Sequence, residues 1–348
     1  MKAVDKYLDA MIKVSGSDLH LASGFCPMIR IHGQLELTDA PPLPPDNVRE
    51  MALEILSNED KEALFRNTSV DFIYRSEALG HRFRSNSFFQ KNGLNLVFRW
   101  IPTAIPTLQS LGFPEVMRNL THFHQGLVLV TGPSGCGKTS TLACLIDIIN
   151  EERSLHIITV EDPIEYVHEN KNSLVIQRQL GMHVSSFNLA LKGALREDPD
   201  VIMIGEMRDL ETIQLAITAA ETGHLVFGTL NTNNAIQTID RIIDAFPSDQ
   251  QSQIRTMFSE SIRGIVSQQL IPKADGTGRV CAYELLFSNP SVANMIRDGK
   301  NYQLTSVMQM GKKHGMQMMD ISLRELLEQG LITRDEAFER CVDPQQFQ

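Results

Sequence analysis

The chain has 348 residues, 42% hydrophobic and 21% charged, a globular composition long enough for about two domains. Its net charge of −10 divides into −1 over residues 1–102 and −9 over 103–348, which excludes a broad basic surface for sequence-independent nucleic-acid binding. Five scattered cysteines without a CxxC pair exclude a disulfide framework and a zinc knuckle, and no apolar run or signal-like N-terminus points away from the cytoplasm.

Residues 1–40 read as an amphipathic helix carrying Val4, Leu8, Met11 and Ile12, then short strands over 19–22, 28–32 and 34–37. After Pro41, Pro42, Pro44 and Pro45 comes a helical stretch with Met51, Ile55, Leu56 and Leu64. Strand runs follow over 70–74, 81–90 and 94–100, the last two split by the hairpin signal Asn92-Gly93. These elements predict a small α+β domain over 1–102. The segment Ile101-Pro-Thr-Ala-Ile-Pro106 reads as a semi-rigid connection and expected hinge, within a linker extending over 103–115.

From Gly126 the pattern changes to apolar runs alternating with helices. The runs are 127–130, 157–160, 201–204 and 225–229, and the helices lie near 139–150, 186–195, 210–222 and 236–246. That alternation predicts an α/β core over 116–289 with a mostly parallel sheet covered on both faces. Residues 248–271 read as one long helical stretch and 279–287 as a strand. A C-terminal helical region is expected over 290–348.

The chemistry begins at Gly132-Pro-Ser134-Gly135-Cys136-Gly137-Lys138-Thr139, directly after a strand and directly before a helix that opens through Ser140. Glycines let backbone N–H groups curl around phosphate oxygens, Lys138 reaches the β- and γ-phosphates, and the Thr139 hydroxyl ligates Mg²⁺. Cys136 is expected to be a small neutral filler. A second element, Asp200-Val-Ile-Met-Ile-Gly205-Glu206, ends a buried strand on Glu206, where open α/β sheets bind ligands. With Gly205 where an ordinary Walker B carries Asp, Glu206 is the acid left to order magnesium or its water shell. The third, Thr159-Val-Glu161-Asp162-Pro163-Ile164-Glu165-Tyr166, places three carboxylates in five residues, one of which can take a proton from an attacking water.

The P-loop, VEDPIEY, the DPDVIMIGEMRDLETI run and AAETGHLVFGTL together resemble the secretion ATPase superfamily that drives type II secretion and type IV pili, and within it the PilT-like retraction branch. The opening GSDLHL and the late GMQ…D extend the likeness over nearly the whole chain, and the missing tetracysteine motif fits that branch. The resemblance implies a RecA-like P-loop core beside an N-terminal PAS-like domain, in a homo-hexamer working on an inner-membrane pilus platform protein. ATP and Mg²⁺ are the implied cofactors, and nucleic acid is not an implied partner. It makes Glu165 the catalytic base, Glu161 and Asp162 supporting acids and Glu206 the Walker B glutamate. Arg84 and Arg99 become guanidinium groups offered to a nucleotide across an interface, where they neutralise charge on the transferred phosphoryl group.

Two departures stand out. The family's His box reads GHL…TLHT; here His224 remains, but Asn231 replaces the second histidine, so an amide faces the nucleotide in place of a titrating ring. The NNA that follows, Asn233-Asn234-Ala235, is reminiscent of PilU-like accessory ATPases. Ser291–Asp298 keeps only the MIRD core of a retraction-linked motif. The expected function is Mg²⁺-dependent ATP hydrolysis by a ring that powers pilus retraction and twitching motility. The alternative is a PilU-like accessory or nucleotide-binding regulatory subunit of a pilus or type II secretion system, with weak hydrolysis and a paralogous ATPase as partner.

Overall fold

The computed structural model describes residues 1–31, 33–101 and 103–347; His32 of the expected second strand, Pro102 of the expected connection and Gln348 lie outside the described residues. The chain divides into two compact units, Met1–Ala104 and Ile105–Gln348. Among the described residues no helix is long and apolar enough to cross a membrane.

The first unit contains α1 (Asp5–Lys13), β1 (Asp18–Ala22), β2 (Met28–Ile31), β3 (Gln34–Leu37), α2 (Pro45–Ile55), α3 (Asn58–Asn67), β4 (Ser69–Ser76), β5 (His81–Gln90) and β6 (Gly93–Ile101). Its six strands form an antiparallel sheet in the order β3-β2-β1-β6-β5-β4. The expected single helical stretch is two helices, because the Ser57 side chain accepts the Asp60 N–H and starts α3 afresh. The hairpin is displaced by one residue: Gln90 pairs with Gly93, leaving Lys91-Asn92 as the loop. Glycine is needed there for close approach, since a Cβ at Gly93 would lie 2.9 Å from Ser23 Oγ. Alternation buries Phe83, Leu94, Leu96 and Phe98 against Leu8, Met11 and Met51, and turns Arg84 and Arg99 to the other face.

The second unit begins with α4 (Leu108–Leu111) and a 3-10 turn (Glu115–Thr121), so residues expected as linker carry a capped helix with Leu108 and Phe113 buried. There follow β7 (Gly126–Thr131), α5 (Lys138–Glu152), β8 (His156–Glu161), β9 (Leu174–Gln179), α6 (Phe187–Ala194), β10 (Val201–Ile204), α7 (Leu210–Glu221), β11 (Leu225–Leu230), α8 (Ala235–Asp244), α9 (Gln251–Ser261), β12 (Ile262–Pro272) and β13 (Arg279–Phe287). Among the described residues, four α-helices follow: α10 (Pro290–Arg297), α11 (Leu304–Met310), α12 (Met319–Glu328) and α13 (Arg334–Arg340).

The sheet order is β13-β12-β7-β11-β10-β8-β9, parallel throughout except for the β12–β13 hairpin at one edge. Successive residues of each strand enter opposite cores: Leu129, Ile202 and Phe258 lie in one, Val128, Leu145 and Phe227 in the other. The long helix expected over 248–271 is corrected: α9 stops at Ser261 and a strand begins at Ile262. Pairing of Ile262–Ser267 with β7 overrides the helical pattern of the preceding turns, and Gly264 fits there because a Cβ would meet Leu120 at 2.5 Å. Strand β9 has no counterpart among the expected elements; it is a half-exposed edge strand whose apolar signal is three residues, Leu174-Val-Ile.

Candidate functional site

Strand β7 delivers Gly132 to the C-terminal edge of the sheet, and α5 starts six residues later at Lys138. Gly132, at φ 145°, has no room for a side chain: a Cβ would lie 2.2 Å from the Gln268 carbonyl oxygen and 2.6 Å from Cys136 Sγ. Ser134 and Gly135 form the exposed tip, Cys136 turns inward, and Thr139 and Ser140 are half-buried in the first turn of α5. Burial pushes the Cys136 thiol up, which favours its protonated form.

The loop fits a triphosphate. The N-cap of α5 is Gly137 at φ 91°, with no side-chain acceptor, whereas α3, α6, α7, α8, α10 and α13 are capped by Ser, Asp, Asn or Thr. The helix of 15 residues thus leaves its first-turn N–H groups and positive dipole end open to an anion. Lys138 Nζ donates to Gly132 O (2.8 Å), Pro133 O (3.0 Å) and Asn231 Oδ1 (2.8 Å), three neutral oxygens that leave its charge for a phosphate.

Asn231 reaches this lysine because β11 lies between β7 and β10 in the sheet, so its C-terminal end separates the P-loop from Glu206. The Asn231 amide spans the gap: Oδ1 accepts from Lys138, and Nδ2 donates to Glu206 Oε1 at 2.7 Å. An ammonium needs an acceptor and a carboxylate a donor, so the amide's orientation is fixed by its neighbours. Glu206 Oε2 pairs with Arg208 at 2.7 Å, a bond that raises the pKa of the guanidinium. At Gly205, where an ordinary Walker B carries aspartate, β8 passes close: a Cβ would sit 3.2 Å from the Val160 carbonyl oxygen. No group of three or more His, Cys, Asp or Glu placed to hold a metal occurs among the described residues. Thr139 and Glu206 supply oxygen donors of the kind Mg²⁺ takes sparingly from protein, completing its shell with phosphate oxygens and water.

The acidic loop after β8 is tied to the same edge. Glu161 is buried at 4% exposure, where its Oε1 accepts from Thr159 Oγ1 (2.6 Å) and Gln177 Nε2 (3.0 Å), and Asp162 is exposed. Glu165 sits half-buried between two anchors. Ile164 N–H bonds Gln179 Oε1 on β9, and Tyr166 OH lies 2.8 Å from Ser140 Oγ on α5. Tyr166 therefore brings the Glu165 loop to the first turn beyond Lys138.

Not every candidate comes to this place. His224 precedes β11 at the opposite edge of the sheet, seven residues and about 20 Å of strand from Asn231, with its Nδ1 3.0 Å from Ala219 O. Within one chain it does not reach the P-loop. Arg84 and Arg99 are cross-strand register partners in the first unit; Arg99 Nε bonds the buried Asp18 at 2.7 Å, and Arg30 stands opposite Asp18 in the register of β2. Three arginines and one aspartate thus form a row across four strands.

Sequence reasoning passed over the brace behind the loop. Gln268 on β12 donates Nε2 to Cys136 O (2.7 Å) and accepts Thr141 Oγ1 (2.8 Å), and neighbouring Ser267 Oγ lies 2.8 Å from Thr131 Oγ1. The only trace was a polar Ser-Gln-Gln interrupting an apolar run in a segment read as helix.

The sequence profile of type II/IV secretion system proteins matches residues 67–339. The chain is 45% identical to the type IV pilus retraction ATPase PilT of Pseudomonas aeruginosa over 96% of its own length and 97% of that protein's. It is 39% identical to the type IV pilus ATPase PilU of the same organism, over 96% and 87%. A crystal structure of the pilus retraction motor PilT with bound ADP superposes with a TM-score of 0.90 at 46% identity, covering 99% of this chain and 98% of that one.

Proposed function

The chain belongs to the type II/IV secretion system protein family and is a PilT-like ATPase, and from that premise we propose that it hydrolyses ATP with Mg²⁺ in a homo-hexameric ring and powers type IV pilus retraction. The observation that carries this reading is the line Lys138–Asn231–Glu206, which joins the phosphate-binding lysine to the acid at the end of β10. When triphosphate enters, Lys138 turns from the carbonyls of Gly132 and Pro133 to the β- and γ-oxygens, and its bond to Asn231 is exchanged for one to phosphate. Bound Mg²⁺, held by Thr139 and ordered by Glu206, would neutralise charge on the phosphate oxygens. Glu165 takes the proton of the attacking water, with Glu161 supporting its strand end, while Tyr166 keeps the loop against α5.

Arg84 and Arg99 are the groups offered to a nucleotide held by another copy, and the connection over 101–106 is the hinge between 1–102 and 116–289, with 290–348 as a helical extension of the core. The partners are an inner-membrane platform protein, through which a cytoplasmic ring works at the pilus base, and a paralogous pilus ATPase. A second reading, a PilU-like accessory subunit with slow turnover, is favoured by one feature: Asn231 where the family has histidine. Deleting the gene and complementing with wild type or Lys138→Ala tests the role. Persistent surface fibres with lost movement, restored by wild type alone, support retraction, and unchanged movement in the deletion strain contradicts it.

A further inference from the structure

Strand β9 grips the acidic loop with its side chains. In the parallel pairing of β8 and β9, Thr159 stands opposite Gln177 and Glu161 opposite Gln179. Ile157 and Val175, two residues earlier on the same face, are buried in the core beside α5. Toward the edge that carries the P-loop, this face therefore turns from apolar to polar, and its polar groups need partners as the loop closes over them.

Half-buried Gln177 meets that need with both ends of its amide. Nε2 donates to Glu161 Oε1 (3.0 Å) and to the Tyr166 carbonyl oxygen (2.8 Å), and Oε1 accepts the His168 N–H (2.9 Å). Turning the amide over would aim its oxygen at a carboxylate and a carbonyl, so the three partners fix its orientation. Solvating Glu161 takes one of these bonds; the other two hold the backbone on either side of Val167. Farther along, the same loop is fastened to α5 and β9 by other residues: Asn150 Nδ2 donates to Glu169 O (2.7 Å), and Asn170 Oδ1 accepts the Val175 N–H (2.9 Å).

We propose that Gln177 is a positioning residue for ATP hydrolysis: its amide ties the Glu161 carboxylate to the backbone at Tyr166 and His168, and so sets where Glu165, the residue before Tyr166, stands relative to the first turn of α5. The inference rests on the ATPase reading above. On the other side of Glu165, the Ile164 N–H is held by Gln179 Oε1 at 3.2 Å, so two glutamines of one strand bracket the base. Displacing a reacting group by about 1 Å costs up to about a hundredfold in rate. Among the described residues Gln177 makes no hydrogen bond to the P-loop, so nucleotide binding does not depend on it.

The test is steady-state phosphate release by the full chain, as a function of ATP concentration, for wild type, Gln177→Glu, Gln177→Met and Asn170→Ala, with ADP affinity and melting measured alongside. Gln177→Glu keeps the shape and the acceptor for His168 but loses both donors, and Gln177→Met keeps only the volume. Both are expected to lower kcat about tenfold or more, with KM and ADP affinity within about threefold. Asn170→Ala loosens the same loop farther from Glu165 and is expected to keep kcat within about twofold. A folded Gln177→Glu variant with the wild-type kcat, or an equal loss of kcat in Asn170→Ala, overturns the inference. Hydrogen exchange of wild type needs no variant: the His168 amide is expected to be protected about a hundredfold or more over its intrinsic rate, and exchange at the intrinsic rate overturns the tie to β9. Absence of wild-type phosphate release, alone and with a paralogous ATPase, instead overturns the function on which the inference rests.

Discussion

Replacing Gln268 with methionine keeps the volume of a fully buried side chain and deletes two hydrogen bonds behind the P-loop. Gln268, Cys136 and Thr141 are each at most 2% exposed, so water does not take over the lost partners. Thr141 Oγ1 keeps a longer contact to Gly137 O at 3.3 Å, which limits its loss to about 1 kcal/mol. The Cys136 carbonyl loses the Nε2 donor inside the protein, a cost of about 1–3 kcal/mol. Together these come to about 2–4 kcal/mol, or on the order of 10 °C in the melting of a unit this large. The penalty falls on the loop that binds phosphate, so ATP affinity should drop at least about tenfold, the equivalent of ~1.4 kcal/mol. Thermal unfolding without nucleotide and calorimetric titration with ATP measure the two quantities. A variant that melts within 1 °C of wild type and binds ATP within twofold would refute the brace.

Gly132→Ala forces a Cβ to 2.2 Å from the Gln268 carbonyl oxygen at a φ that L-residues avoid, so ATP binding measured by titration should fall at least about tenfold. Tyr166→Phe removes the bond to Ser140, worth about 1 kcal/mol, and should lower kcat severalfold with little change in KM. The pH dependence of stability follows from Glu284, raised from 4.5 to about 7 by burial. Across that window the folded chain holds a proton the unfolded chain has released. Stability contributed by this group therefore falls as pH rises from 4.5 through 7, by roughly 3 kcal/mol at most. Denaturant titrations at pH 5 and pH 8 should show a smaller difference for Glu284→Gln than for wild type.

The parallel strands and their helices were legible because buried strands are continuous apolar runs and the alternation with 3.6-period helices is strong. The P-loop and the acids at strand ends were legible because their chemistry is local: Lys138 and Thr139 are adjacent, and Glu206 directly follows β10. What escaped depends on contacts distant in sequence. β12 is a strand because β7 pairs with it, and Gln268 matters because it meets Cys136, 132 residues away. His224 shares a motif with Asn231, yet a strand of six residues carries the two to opposite edges of the sheet. The amide bridge from Lys138 to Glu206 became visible only once β11 was placed between β7 and β10.

Steady-state phosphate release in the presence of Mg²⁺, compared between wild type and Glu165→Gln with ADP binding measured in parallel, bears most directly on whether this edge of the sheet hydrolyses ATP. The expected result is sustained release by wild type, a loss of about a hundredfold or more in the variant, and nucleotide binding within about threefold in both. A variant that releases phosphate at the wild-type rate would contradict the assignment of Glu165 and the geometry built around it.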